Sequence, residues 1–226
     1  LYGLAYSIGM LVQLFISGMN SALTPWMYSK IKKGDIRSMR KVLQLLSIVV
    51  VGIAVALMLI SPELVLIFGS PKYREAVYVI PPVAASVFFI FIYNILSMPQ
   101  FYYEKTQFLM AASMAAAGAN VVLNFIFIRL FGYIAAGYTT LACYMLYSVG
   151  HYIVSKRILV NEGIQENLMN PGFLVACSVF LIGASIICNL IFPYRILRYA
   201  ILLASAGLVF WKKELLLKTM ADIRKK

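Results

Sequence analysis

The stretch SALTPWMYSKIKKGDIRSMRK, Ser21–Lys41, joins an uncharged apolar segment to a run of lysine and arginine. Residues 1–29 carry no charged side chain, and about 20 apolar residues in a helix suffice to cross a bilayer. Trp26 and Tyr28 stand at the junction, where amphipathic rings prefer the headgroup level. The stretch therefore predicts a membrane-spanning helix that ends at a basic surface.

The composition of the whole chain is that of a membrane protein. Of its 226 residues, 62% are hydrophobic and 12% are charged, whereas a soluble domain is about half apolar and about a quarter charged. In lipid only helices and closed barrels satisfy every backbone group, and the continuous apolar runs exclude alternating barrel strands. We therefore expect an all-α, polytopic bundle of transmembrane helices.

Seven spans can be assigned from the apolar runs. They cover residues 3–28, 42–60, 77–101, 106–128, 133–155, 171–192 and 194–211. Pro62 is expected to follow the end of the second span, and Pro81, Pro82 and Pro99 are expected to break or kink the third. The seventh span is the least regular, because Arg195 and Arg198 lie near its start.

Lysine and arginine fall on alternate connections between the spans. Fifteen of the 20 lie after the first, third, fifth and seventh spans, and such residues mark cytoplasmic loops. The C-terminus is therefore predicted to be cytoplasmic. The net charge of +12 is spread over short clusters rather than over a basic face of domain size, so nucleic-acid binding is not expected. The three cysteines lie in apolar runs without metal-ligand spacing, and no metal or cofactor is predicted.

Four stretches, in this order, carry a family resemblance. They are residues 21–41 quoted above, LVLIFGSPKYREAVYVIPPVAAS (64–86), AAAGANVVLNFIFI (115–128) and FGYIAAGYTTLACYM (131–145). Together they resemble the C-terminal half of polysaccharide, O-antigen and other lipid-linked oligosaccharide flippases, in the multidrug/oligosaccharidyl-lipid/polysaccharide exporter superfamily. The resemblance covers residues 1–158. It implies two pseudo-symmetric lobes around a central cavity and an upstream half of the same chain, and Leu1 already lies in an apolar segment.

The resemblance, together with the apolar runs and the charges, predicts three parts of the chain, and the resemblance implies a function. The parts are a C-terminal lobe of five spans (1–158), two additional helices (159–211) and a basic cytoplasmic tail (212–226). The implied function is export of a lipid-linked oligosaccharide across the bacterial inner membrane by alternating access. The implied partners are the lipid-linked glycan, membrane lipids, the upstream half and, as a further candidate, glycan polymerase machinery.

Two other functions remain open at this stage. One is a cation-coupled multidrug or small-solute antiporter of the same superfamily, although the first six predicted spans contain no carboxylate to couple an ion. The other is a membrane-embedded glycan-assembly protein, although the longest outer loop, about residues 61–76, is short for one. No catalytic motif is visible, so we do not expect an enzyme.

Amide side chains within the spans are the candidates for a substrate cavity, because an amide that faces lipid is unfavourable. They are Gln13, Asn20, Asn94, Gln100, Asn120 and Asn124, with Gln107 at a span end. Asn120 and Asn124 are four residues apart and share a helix face. Hydrogen bonding between helices is the alternative role. Stacking faces are expected from Tyr93, Tyr102, Tyr103, Tyr144 and Tyr147.

Charged residues at the predicted inner surface are candidates for a cytoplasmic gate or for headgroup contact. They are Lys30, Lys32, Lys33, Glu104 and Lys105. The basic loop can attract a pyrophosphate, or it can be an ordinary solvated loop. Asp35 is predicted to cap the helix that resumes at Ile36. His151 is expected at the membrane interface rather than as a ligand.

Overall fold

The computed structural model describes residues 2–69 and 71–211, and these form a bundle of seven α-helices without a strand. The helices are α1 (Tyr2–Lys32), α2 (Ile36–Phe68), α3 (Ile80–Tyr102), α4 (Gln107–Phe131), α5 (Ala135–Asn161), α6 (Pro171–Ile191) and α7 (Arg195–Trp211), with a 3-10 helix at Pro71–Tyr78. The predicted all-α fold is confirmed. The predicted tail, 212–226, lies outside the described residues, and the division at residue 158 remains a prediction.

Helix α3 forms the centre of the bundle. Every residue from Ile80 to Ile92 is buried, and so is every residue from Ile95 to Gln100. Helices α1, α2, α5 and α6 pack around it. A helix that is apolar on all sides belongs in such a position, because it has no polar face to present to water.

Among residues 2–69 and 71–211, four helices are long and apolar enough to cross a membrane by length and composition, namely α2, α3, α4 and α6. Helix α7 has only 17 described residues. Helix α5 is less apolar because it carries buried polar side chains, including Thr139, Thr140, Ser148 and His151. These side chains face protein, so the lower hydropathy of α5 reflects its place inside the bundle.

The connections between helices alternate between the two ends of the bundle. At one end, the rings of Tyr28 and Tyr102 lie 5.4 Å apart, and Arg40 Nε donates to the carbonyl of Asn167 at 2.7 Å. These contacts bring together the connections α1–α2, α3–α4 and α5–α6. We call this the basic end, because it holds the clusters at 30–41, 105 and 156–157.

The opposite end is held by aromatic and polar contacts. Tyr133 donates its hydroxyl to Glu75 at 2.9 Å, and the rings of Tyr78 and Phe192 lie 5.8 Å apart. Burial, together with the hydrogen bond to the Glu75 carboxylate, raises the pKa of Tyr133 to about 12. The 3-10 helix, the α4–α5 connection and the end of α6 therefore meet here.

Helix α2 does not end near Ile60, as predicted, but continues through Pro62 to Phe68. A proline inside a helix leaves the carbonyl four residues earlier without its usual donor, which here is the carbonyl of Met58. The hydroxyl of Ser61 donates to that carbonyl at 2.7 Å. A serine side chain thus replaces the missing backbone donor, as is common in membrane helices.

The prolines of α3 also act differently from the prediction. Pro81 and Pro82 occupy the first turn of the helix, where a missing N–H removes no intrahelical bond. They begin α3 and do not break it. Pro99 lies inside the helix one turn before its end at Tyr102.

Candidate functional site

The predicted pair of asparagines on α4 joins that helix to α5. Asn124 Nδ2 donates to Asn120 Oδ1 at 2.9 Å, and the hydroxyl of Thr139 donates to Asn124 Oδ1. The shared helix face is confirmed. Asn124 acts as an interhelical hydrogen-bonding residue, whereas Asn120 also lines a pocket.

This pocket, which we call the middle pocket, has a volume of about 510 Å³ and lies between α3, α4 and α5. Its lining is uncharged and consists of Tyr93, Ser113, Ala116, Ala117, Asn120, Val121, Thr140, Cys143, Tyr144 and Tyr147. The small residues of α4 leave the space, while hydroxyl and amide groups surround it. Such a lining suits a neutral polar ligand with some apolar surface.

Three of the five predicted tyrosines meet at the middle pocket. The rings of Tyr93 and Tyr144 are nearly parallel, with centroids 6.2 Å apart, and the ring of Tyr147 lies 4.7 Å from that of Tyr93. The hydroxyl of Tyr147 is hydrogen-bonded to Ser113 on α4 at 2.7 Å. Tyr102 and Tyr103 instead pack against each other at the basic end.

Gln100 and His151 form a fully buried pair between α3 and α5. Gln100 Nε2 lies 3.2 Å from the carbonyl of Leu96 and 2.8 Å from His151 Nδ1. Because a carbonyl only accepts, the Gln100 atom facing it is the amide nitrogen, so His151 Nδ1 accepts. The neutral imidazole then carries its proton on Nε2.

The burial of this pair bears on two of the predicted residues. None of the His151 surface is exposed, so its ring faces protein and neither solvent nor lipid. Gln100 packs into the wall behind the pockets and lines neither of them. In the described part of the chain, Gln100 Oε1 and His151 Nε2 are buried without a hydrogen-bond partner.

The remaining amides are not brought into the middle pocket. Asn94 donates to the carbonyl of Ile90 on its own helix at 2.9 Å. Gln13 and Asn20 are half-buried on α1, and Asn20 Oδ1 has no partner among the described residues. For these residues a place in a larger substrate cavity remains a prediction.

A second pocket, which we call the end pocket, lies at the basic end and has a volume of about 570 Å³. The gate candidates Glu104 and Lys105 line it, together with Gln107, Phe108, Val154, Arg157, Ile158, Asn161 and Glu162. Glu104 has a φ of 57° in the tight turn between α3 and α4. The α3–α4 turn and the end of α5 thus enclose a space with charges of both signs.

The lysines of the α1–α2 connection have different roles. Lys30 Nζ lies 2.6 Å from Asp35 Oδ2, and Asp35 Oδ1 accepts from the backbone N–H of Ser38 at 3.2 Å. The predicted cap is therefore confirmed, and the hydrogen bond from Lys30 lowers the pKa of Asp35. Lys32 and Lys33 are exposed and remain suited to contact with anions.

A buried ion pair near the opposite end was not foreseen. The guanidinium of Arg198, which is 1% exposed, donates to both carboxylate oxygens of Glu63 at 2.8 Å and to the carbonyl of Leu59 at 2.6 Å. The prediction that the early spans contain no carboxylate is wrong, because α2 continues past Pro62 and includes Glu63. An arginine in an apolar segment was the available signal for such a partner.

Comparison with known proteins agrees with this architecture. A family model, MatE, matches residues 1–126, which is more than half of the chain. No curated protein and no solved structure matches the chain. The family match covers α1–α3 and most of α4, so it includes one wall of the middle pocket. MatE proteins are transporters of the multidrug/oligosaccharidyl-lipid/polysaccharide exporter superfamily. This chain is a membrane protein of the MatE transporter family.

Proposed function

We propose that the chain belongs to a flippase that moves a lipid-linked oligosaccharide across the bacterial inner membrane by alternating access. The glycan would pass through the protein while its lipid tail stays in the bilayer. The basic end would face the cytoplasm, because lysine and arginine are retained on that side. A second lobe of the same protein would complete the cavity, and a glycan polymerase is a candidate partner on the far side.

The uncharged lining of the middle pocket is the observation that supports this proposal. A sugar ring presents hydroxyl groups at its edge and apolar C–H groups on its faces. Asn120, Ser113 and Thr140 supply polar groups, while the three tyrosine rings supply flat apolar surface. No carboxylate lines this pocket to pair with an organic cation, and tyrosine faces alone attract a cation with only about 0.5–2 kcal/mol.

Loss of function in a strain that depends on this protein tests the substrate class. Deletion should cause lipid-linked glycan to accumulate on the inner leaflet. Complementation with Asn120→Ala or Tyr144→Ala should reduce export by about tenfold, the effect of losing one or two hydrogen bonds or a packing face. Phe125→Ala, on the same helix but outside the pocket, is the control. If both pocket variants export glycan at the wild-type rate, the pocket is not the substrate site.

The exposed lysines at the basic end support a contact with the pyrophosphate of the carrier lipid. Lys32 and Lys33 are free of the Asp35 ion pair that holds Lys30, so they are the ones to change. Replacing both with Gln should weaken capture of an anionic headgroup by removing two charges. Normal membrane insertion combined with undiminished export would exclude this role.

A cation-coupled multidrug antiporter is the second candidate, favoured by Glu63 inside α2. Against it, Glu63 already forms a two-point ion pair with Arg198. Glu63→Gln should abolish ion-driven uptake of a fluorescent cation in an antiporter. In the proposed flippase it should lower thermal stability and leave ion flux unchanged.

A further inference from the structure

The middle pocket and the end pocket both lie along α4 and α5, which contribute residues to each of them. We call the space along these two helices the groove. On α4 the end pocket reaches Phe108 and the middle pocket begins at Ser113, while on α5 the corresponding residues are Val154 and Tyr147. About one and a half turns of α4 and about two turns of α5 lie between these positions.

Three aromatic side chains meet in this intervening section. The rings of Phe108 and His151 meet edge to face, with centroids 5.4 Å apart. The ring of Tyr147 also meets the imidazole edge to face, with centroids 4.5 Å apart. Since Phe108 lines the end pocket and Tyr147 lines the middle pocket, the His151 ring lies between one ring from each.

A glycine allows the section to close. A Cβ atom at Gly150 would lie 3.2 Å from Phe108 Cζ, which is closer than most such contacts. The hydrogen at this position therefore lets the ring of α4 approach the backbone of α5. A methyl group at position 150 should shift the Phe108 ring by a few tenths of an ångström.

The closed section also contains polar groups that are not satisfied. His151 Nε2 is a donor and Gln100 Oε1 is an acceptor, and each is buried without a partner in the part of the chain that the structure describes. Water or a ligand hydroxyl can both donate and accept, so entry of either would satisfy such groups. The cost of opening the aromatic contacts is thereby partly offset.

We propose that Phe108, His151 and Tyr147 form an aromatic gate that closes the groove between the end pocket and the middle pocket. Movement of the Phe108 ring away from Gly150 opens the gate and admits a hydrated, hydroxyl-bearing solute from the basic end. The identity of that solute rests on the proposed function, whereas the closure itself is testable without any substrate.

The native Cys143 lines the middle pocket and serves as the reporter. The protein carries Cys177→Ser and Cys188→Ser, which leaves Cys143 as the single cysteine of residues 1–226, and any cysteine outside this range is also replaced by Ser. Sealed membrane vesicles with the basic end outward are treated with a small, charged, membrane-impermeant methanethiosulfonate reagent. Vesicle orientation is established separately by labelling of a Lys33→Cys variant.

Labelling of Cys143 should be slow with the native gate and faster in Phe108→Ala. A gate that is open about 1–10% of the time slows labelling by about 10- to 100-fold, so removal of the ring should increase the rate by that factor. Gly150→Ala, which shifts the same ring by a few tenths of an ångström, should increase the rate by a smaller factor. Phe125→Ala, on α4 but outside the gate, should leave it unchanged.

Equal labelling rates in the native, Phe108→Ala and Gly150→Ala proteins would overturn the gate. Rapid labelling of the native protein would overturn it as well. If Phe108→Ala does not accumulate in the membrane, Phe108→Leu and Gly150→Ala supply the comparison. If the variants show the expected differences in labelling rate but loss of the protein leaves glycan export unchanged, the proposed function is wrong and the gate is still supported.

Discussion

Helices α3 and α4 are neighbours in sequence with similar length and apolarity, yet their surroundings are opposite. Both are apolar enough to cross a membrane. Almost all of α3 is buried, whereas no residue of α4 is. Apolarity therefore identifies both as membrane helices but does not say which is central, because lipid tails are as apolar as a protein core.

The two helices differ in the size of their side chains. The buried part of α3 contains large residues such as Phe88 and Phe91, surrounded by four helices. The first half of α4 is rich in alanine and glycine over residues 111–119, and its main packing partner is α5. Large side chains fill the centre of the bundle, and small ones leave the groove in which both pockets lie.

The largest contrast is expected for one phenylalanine in each helix. Phe91→Ala, at a fully buried position of α3, should lower the free energy of unfolding by about 3–5 kcal/mol, because it leaves a cavity. Phe125→Ala, at a position of α4 that is 59% exposed, should cost at most about 1 kcal/mol through loss of its contact with Arg129. Chemical unfolding in detergent measures both. Equal losses would show that α4 is as enclosed as α3.

One glycine in α5 and one in α4 give a second contrast, because their replacement by alanine should change the stability in opposite directions. A Cβ at Gly137 of α5 would lie 2.7 Å from Pro82 Cγ of α3 and 3.1 Å from the carbonyl of Val79, so Gly137→Ala should destabilise by about 1–3 kcal/mol. Gly118 of α4 has no atom within 4 Å of such a Cβ, so Gly118→Ala should stabilise by about 0.4–1 kcal/mol. The melting temperature should fall in Gly137→Ala and rise in Gly118→Ala. A lower melting temperature for Gly118→Ala would show that the space around position 118 of α4 is not open.

The first turns of α2 and α4 are expected to differ as well. Asp35 caps α2 through its side chain, whereas Thr106 makes no side-chain cap bond to α4. Asp35→Ala should therefore cost about 1 kcal/mol, and Thr106→Ala should be close to neutral. The free energies of unfolding of the two variants decide this, and a larger loss for Thr106→Ala would contradict the assigned caps.

The charge of Asp35 adds a pH dependence to the same comparison. Its hydrogen bond with Lys30 holds the pKa of Asp35 below the ordinary value, so the stabilisation is complete above the unfolded-state pKa and is lost as the pH falls through the folded-state pKa. Asp35→Asn keeps a capping oxygen and removes the charge. The stability difference between wild type and Asp35→Asn should therefore be present at neutral pH and should vanish in acid.

The smallest effect is expected for the polar contact between α4 and α5. A double-mutant cycle with Asn124→Ala and Thr139→Val should give a coupling energy of about 0.6 kcal/mol, as for other interhelical hydrogen bonds in membranes. Unfolding of the two single variants and the double variant supplies the cycle. A coupling near zero would mean that this contact does not hold α4 to α5.

Local patterns predicted much of the framework. Seven helices follow from the apolar runs, the basic end follows from the placement of lysine and arginine, and the cap at Asp35 follows from its position before Ile36. The shared face of Asn120 and Asn124 follows from helical periodicity. Each of these depends on residues close together in the chain. The predicted end of the second span before Pro62 was wrong, because the Ser61 hydroxyl donates to the carbonyl that Pro62 leaves without a donor. That contact depends on the rotamer of one side chain, which the sequence does not specify.

The sequence by itself determined that this protein is a set of membrane helices with one basic end, because hydropathy, periodicity and charge are local properties. Only the tertiary structure decided that Gln100 meets His151 and that Arg198 meets Glu63, pairs that lie 51 and 135 residues apart in the chain. It also decided which helix is central and where the groove runs. These outcomes depend on how side chains of different size fill the space between helices, which no single helix specifies.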